Sequence, residues 1–252
     1  MVDKWTATIP ELSGDEPRRI YLYLPDDYEE RTRRYPVLYM FDGHNVFFDE
    51  DATYGKSWGM KEYLDAQAAQ LIVVAVECTH DPDNGRLSEY SPYSFVSPNF
   101  GAVEGRGAET MEWMVHELKP WVDENLRTMT GREHTMIAGS SMGGLMSLYA
   151  VAAYNEVYSR AAALSPSIWV GDGAVNALLE DTHFRKNTYV YMDYGSRELD
   201  RAGKMVRGFA QTASILTEKQ VYVTSRIVPK GTHCEASWEK QIPIFMPILL
   251  YK

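Results

Sequence analysis

The sequence predicts an α/β protein: a mainly parallel central sheet with an N-terminal antiparallel hairpin and helices on both faces. Three observations carry that expectation. Short continuous apolar runs at 37–41 and 71–76 have the composition of strands buried on both sides. Segments with helical apolar spacing alternate with such runs along the chain. The 252 residues, 45% hydrophobic and 24% charged, are enough for one sizeable core, so a single domain over 1–252 is expected.

The elements follow in order. Residues 19–24 alternate at period two and stop at Pro25-Asp26-Asp27, which reads as a strand and its turn. Residues 5–9 are its expected hairpin partner. The runs 37–41 and 71–76 are the next strands. Between 108 and 126, Met111, Met114, Val115, Leu118, Trp121, Val122 and Leu126 form one helical stripe, which Pro120 should kink. An apolar segment at 134–138 leads into Gly-Ser-Ser-Met-Gly-Gly at 139–144, and 145–153 suits a buried helix. Residues 161–164 and 188–193 read as strands, 201–217 as a helix and 221–228 as a strand. A last helix is expected over 235–249, disturbed by Pro243 and Pro247.

The formal net charge of −10 argues against nucleic acid and anionic membrane surfaces as partners. The first residues lack a charged-then-apolar signal pattern, and no apolar run approaches a membrane span. A cytoplasmic protein acting on a small molecule is the expectation. Cys78 and Cys234 cannot form a disulfide framework and are expected to be free thiols. With no phosphate loop, metal-ligand cluster or dinucleotide glycine pattern, neither cofactor nor metal is implied.

Residues 139–144 contain G-x-S-x-G in the setting where it carries chemistry, with a strand before and a helix after. The tight turn calls for glycine two positions either side of the serine, at 139 and 143, and the hydroxyl projects from the carboxyl edge of the sheet. Ser141 is therefore the candidate nucleophile of an acyl-transfer reaction. Its base must come late in the chain, after an acid. Of the six histidines, His233 fits, lying between the last expected strand and helix. His116, His134 and His183 read as structural or exposed. Asp193 ends the strand at 188–193, and Glu198 and Asp200 follow it; Glu198, beyond a glycine turn, is the first choice as acid and Asp200 the second. A tetrahedral oxyanion needs two N–H donors. The expected donors are the amides of Met142 and of His44, in the loop after 37–41.

Together these residues resemble a family of α/β-hydrolases that includes esterase D (S-formylglutathione hydrolase), enterochelin-type trilactone esterases, feruloyl and acetyl-xylan esterases, and the mycolyltransferase antigen 85 proteins. Gly139-Ser-Ser-Met-Gly-Gly144 matches its G-x-S-M-G-G elbow, and Ser165-Pro-Ser-Ile-Trp169 its S-P-S-x-W segment. Met40-Phe-Asp-Gly-His44 is similar to its oxyanion loop, Gly195-Ser-Arg-Glu198 to its acid loop, and 231–238 to its histidine loop. The oxyanion loop departs from the H-G-x-G-G form of several members, and the acid is Glu rather than Asp. The resemblance implies an α/β-hydrolase fold and a serine carboxylic-ester hydrolase with a Ser141–His233–Glu198 triad.

The substrate is open between acyl esters of sugars or other small alcohols, transfer of the acyl group to an alcohol acceptor, and a trilactone siderophore. A non-catalytic binding protein on the same scaffold is the remote alternative. Candidate pocket walls are aromatic: Phe47, Phe48, Tyr54, Trp58, Tyr90, Tyr93, Phe95, Phe100, Trp169 and Trp238. Asn45, Arg86, Glu89, Trp169 and Trp238 are the expected substrate contacts, and His80 could also bond an alcohol.

Overall fold

The computed structural model describes residues 1–199 and 204–251. In chain order its strands are β1 (Val2–Thr8), β2 (Pro17–Tyr23), β3 (Val37–Phe41), β4 (Ile72–Val76), β5 (Phe95–Ser97), β6 (Gly101–Val103), β7 (Thr135–Ser140), β8 (Arg160–Leu164), β9 (Tyr189–Gly195) and β10 (Tyr222–Val228). The helices are α1 (Pro10–Ser13), α2 (Met60–Ala66), α3 (Gly85–Glu89), α4 (Gly107–Trp113), α5 (Lys119–Asn125), α6 (Met142–Ala153), α7 (Ala174–Asp181), α8 (Lys204–Glu218), α9 (Glu235–Glu239) and α10 (Ile242–Leu249).

Eight strands form one sheet in the order β1-β2-β4-β3-β7-β8-β9-β10. β1 and β2 pair antiparallel, as the hairpin reading requires, and β2 meets β4 antiparallel as well. From β4 across to β10 every pairing is parallel. The interior strands are apolar throughout because both faces are covered. Successive β3 side chains divide between two cores: Val37, Tyr39 and Phe41 on one face, Leu38 and Met40 on the other. The first core takes in Leu145 and Leu148 of α6; the second takes in Leu64 of α2 and Phe245 of α10. α6 is apolar on nearly all sides and is almost wholly buried.

One helix expectation holds and one changes in detail. The stripe at 108–126 forms an unbroken helical run disturbed near Pro120: α4 passes through a π-helical turn, Met114–Leu118, directly into α5, and Trp113, Leu118 and Lys119 at the junctions are all right-handed helical. The π turn lies just before Pro120, whose ring and missing N–H interrupt the regular helical hydrogen bonding. The expected helix over 235–249 instead divides into two helices, with Pro243 in the first turn of α10 and Pro247 within it. The short elements α1, α2, α3, α7, β5 and β6 were not anticipated, since one or two helical turns or three strand residues leave little periodic signal. Among the described residues no helix is long and apolar enough to cross a membrane. Cys78 and Cys234 are free thiols.

Candidate active site

β7 and α6 are joined at Ser141, whose backbone has φ 58° and ψ −119°. A non-glycine residue held there stores about 1–3 kcal/mol of strain. Its surroundings enforce the turn: Ser141 N–H donates to Leu164 O at 2.9 Å, and Ser141 O accepts from Leu145 and Ser167, both at 3.0 Å. A side chain at Gly139 would bring a Cβ within 2.7 Å of Gly143 backbone, so the strand and the helix can approach only with glycine there. The serine is thereby presented, half-buried, at the carboxyl edge of the sheet.

The loop after β3, the strand beside β7, forms a single 3-10 turn, Gly43–Asn45. Gly43 lies against β4, and a Cβ there would stand 2.5 Å from Ala75 O. Asp42 occupies the left-handed region at φ 57°. Its amide donates to Tyr90 Oη at 3.1 Å, and its carboxylate accepts two bonds from Arg86, both at 2.6 Å. Burial would raise the Asp42 carboxyl, but the guanidinium outweighs it and holds the group below the ordinary carboxylate range. The N–H groups of His44 and Met142 donate to no other described residue. The first amides of a helical turn lack intrahelical acceptors, so both are available to an outside oxygen.

On the other side, the loops after β9 and β10 bring Glu198 to His233. Nδ1 of His233 lies 2.7 Å from Oε2 of Glu198. The other oxygen, Oε1, accepts from Ser165 Oγ at 2.8 Å and from the Gly195 N–H at 2.7 Å. Burial pushes the Glu198 carboxyl up, yet the bonds from His233, Ser165 and Gly195 together hold it below its ordinary value. Trp238 donates its indole N–H to Ser165 Oγ at 3.0 Å and sets its ring edge-on to the imidazole, with centroids 5.1 Å apart. Each oxygen of Glu198 is thus assigned, one to the imidazole and one to the scaffold.

Ser141 and His233 face the same cleft. No hydrogen bond joins them among the described residues, which is common before substrate tightens such a pair. The cleft has two chambers. One, of about 440 Å³, is walled by Thr53, His80, Glu235 and Trp238. The other, of about 460 Å³, is walled by Leu87, Phe100, Met142 and Trp169. Tyr54, Asp81 and Arg86 border both. Burial raises the Glu235 carboxyl above its ordinary value. A further cavity of about 470 Å³ lies at the opposite, amino edge of the sheet, against Tyr35, Met136 and Leu249, far from the nucleophile.

Several expected contacts are placed differently. Glu89 is not a cleft residue: its carboxylate is buried against Arg18, accepts the Thr79 N–H at 3.0 Å and lines neither chamber. Arg86 borders the cleft, but Asp42 engages its guanidinium. Asn45 borders it too, with Oδ1 accepting the Thr53 N–H at 2.9 Å. His80 faces the same chamber and holds Glu77 at 2.7 Å. Phe47 and Trp58 pack into the core, and Tyr90 supports Asp42. Trp169 is 46% exposed on the apolar chamber, whereas Trp238 is buried behind His233. Asp193 is buried and accepts from Tyr191 Oη at 2.6 Å. Asp200 lies outside the described residues. His116, His134 and His183 are exposed. Ser165, Asp42 and Glu235 were given no role from sequence; their signal is adjacency to motif positions, which becomes meaningful only once the loops are folded.

This geometry invites comparison with known proteins. Residues 13–247 match the family model described as Putative esterase. An uncharacterized protein of Bacillus subtilis (strain 168), YbbA, is 25% identical over 187 residues, covering 72% of this chain and 69% of that protein. An esterase of Mycobacterium tuberculosis is 32% identical over 148 residues, covering 58% of this chain and only 28% of that longer protein. An IroE-like serine hydrolase from Shewanella oneidensis superposes with a TM-score of 0.76 at 19% identity, covering 99% of this chain and 79% of that one. A ferulic acid esterase does so at 0.70 and 16%, with 99% and 97% covered. At such identities the solved structures establish the fold, and the family model, spanning nearly the whole sequence, establishes the family: the chain belongs to the family described as Putative esterase.

Proposed function

We propose that the protein hydrolyses carboxylic esters through an acyl-enzyme on Ser141. The observation that carries this reading is the 2.7 Å contact of His233 with Glu198, in the same cleft as the strained Ser141. A serine hydroxyl is barely ionised near neutrality, so Nε2 of His233 takes its proton as Oγ attacks the acyl carbon. Glu198 accepts from Nδ1–H, fixing the tautomer and stabilising the imidazolium. The His44 and Met142 amides receive the oxyanion. As the tetrahedral adduct collapses, the imidazolium returns its proton to the departing alcohol. Water then attacks the acyl-Ser141 carbonyl, giving its proton to His233, and the acid leaves with Oγ reprotonated.

The lining of the cleft supports a two-armed substrate. The chamber with Thr53, His80 and Glu235 suits a hydroxylated alcohol such as a sugar, and the one with Phe100 and Trp169 suits an apolar or aromatic acyl group. The test is p-nitrophenyl acetate turnover by wild type, Ser141→Ala and His233→Ala, followed by a panel of acetyl sugars and feruloyl esters. Loss of turnover in both variants is expected; full activity in Ser141→Ala overturns the mechanism.

A further inference from the structure

Beneath the polar chamber, three donors of different chemistry meet. Asp42 and His44 come from the loop after β3, and Cys78 from the segment after β4, whose parallel register pairs Phe41 with Val76. A carboxylate oxygen, an imidazole nitrogen and the thiol sulfur lie within 4.8 Å of one another, and all three residues are buried. His44 is 3% exposed, and its Nδ1 is a buried atom without a partner. Its Nε2 is engaged, 3.0 Å from Thr53 Oγ1. With Nε2–H donating to Thr53, Nδ1 holds a bare lone pair, because the other tautomer would bury an unpaired N–H.

We infer that Asp42, His44 and Cys78 form an inhibitory site for a thiophilic divalent transition metal such as Zn²⁺. Imidazole, thiolate and carboxylate together suit zinc-like ions and not Mg²⁺ or Ca²⁺, which take oxygen donors. Burial lowers the His44 pKa, which favours the neutral imidazole that ligation uses. Burial and Asp42 hold the Cys78 thiol protonated, so binding breaks S–H, forms S–metal and releases one proton to solvent. Each Asp42 oxygen accepts from Arg86, and the carboxylate also accepts from the Cys78 thiol, so the lone pair that S–H holds is freed as the thiol gives up its proton to binding. The nearby guanidinium opposes a second cation, which makes the site reversible rather than a permanent structural centre.

The link to activity is geometric. Donors of a tetrahedral zinc site stand about 3.3–3.8 Å apart for bonds of ~2.0–2.3 Å. Closing three groups from separations of up to 4.8 Å draws the Asp42–His44 turn inward. A shift of about 1 Å in a catalytic donor can cost ~100-fold. Metal binding itself does not depend on the proposed ester hydrolysis; only the inhibition does.

The purified protein is titrated with Co²⁺ and Zn²⁺. We expect one Co²⁺ per chain with a thiolate-to-cobalt absorption band, displaced by Zn²⁺ and lost with EDTA. Zn²⁺ should lower kcat by roughly 10–100-fold, reversibly. Cys78→Ala should lose both the band and the inhibition while keeping its basal activity, and Cys234→Ala should keep both. Should Cys78→Ala fail to fold, His44→Gln is read for loss of the band alone. No thiolate band in wild type, a band that survives in Cys78→Ala or His44→Gln, or a band lost in Cys234→Ala overturns the site. A band without inhibition leaves metal binding standing and overturns its inhibitory role.

Discussion

Trp238 and Glu198 are joined through one hydroxyl: the indole N–H donates to Ser165 Oγ at 3.0 Å, and Ser165 Oγ–H donates to Glu198 Oε1 at 2.8 Å. The tryptophan that packs edge-on against His233 thus also holds the carboxylate that faces it. Ser165→Ala removes both bonds of this chain, whereas Trp238→Phe removes the indole bond alone at the cost of some buried volume. A neutral hydrogen bond is worth about 0.5–1.5 kcal/mol and one to a charged group about 1.5–3 kcal/mol, so kcat on p-nitrophenyl acetate should fall roughly 2–10-fold in Trp238→Phe and roughly 10–100-fold in Ser165→Ala, with KM little changed. Steady-state kinetics on both variants check this; a rise in KM at constant kcat would make Trp238 a substrate contact instead.

Replacing Glu198 by Gln should be far more damaging. The amide presents N–H₂ where a carboxylate accepts, which favours the wrong imidazole tautomer, and a loss of about 10²–10⁴-fold in kcat is expected. Asp200→Asn should stay within about twofold of wild type. The reverse ranking, in variants whose circular dichroism matches wild type, would move the acid to Asp200.

Gly43→Ala tests the loop that carries the His44 amide. The added methyl would meet Ala75 O at 2.5 Å, and neither backbone segment can yield without moving the turn. We expect stability to fall by about 1–3 kcal/mol in urea unfolding and kcat by about 10²–10³-fold, the cost of one misplaced oxyanion donor. Unchanged kcat in the folded variant would remove His44 from that role.

Asp193 gives the pH dependence of stability a definite sign. Burial lifts its carboxyl from 3.8 to about 6 against the Tyr191 hydrogen bond. Between those values the folded state binds more protons than the unfolded one, so this contribution is fully present below the unfolded pKa and is lost as pH rises through about 6. Glu77 has the opposite sign: burial raises it, but Arg19 and His80 hold it at about 2, so its contribution is lost as pH falls toward that value. Asp193→Asn should therefore raise stability near pH 8, by up to about 3 kcal/mol, with little gain near pH 4. Thermal melts across that range check it; equal effects at both ends would contradict the account.

The sheet was legible because buried parallel strands must be apolar on both faces, and residues 37–41 and 71–76 are. The G-x-S-x-G turn was legible because tight geometry restricts residue type at Gly139 and Gly143. The break between α9 and α10 was not, since Pro243 looks like a kink in sequence and sits in a helix's first turn in the fold. Glu89 shows the limit for polar residues. A carboxylate in a loop at the active edge reads as a substrate contact until Arg18, distant in sequence, is seen to occupy it. Ser165 and the meeting of Asp42, His44 and Cys78 depend wholly on tertiary proximity, which no local spacing encodes.

The central claim is that Ser141 carries the acyl group. Intact-protein mass spectrometry after reaction with a fluorophosphonate, followed by peptide mapping, tests it most directly. The account expects one adduct per chain, on Ser141, formed in step with loss of esterase activity and absent from His233→Ala on the same timescale. An adduct on another residue, or full inactivation with Ser141 unmodified, would contradict it.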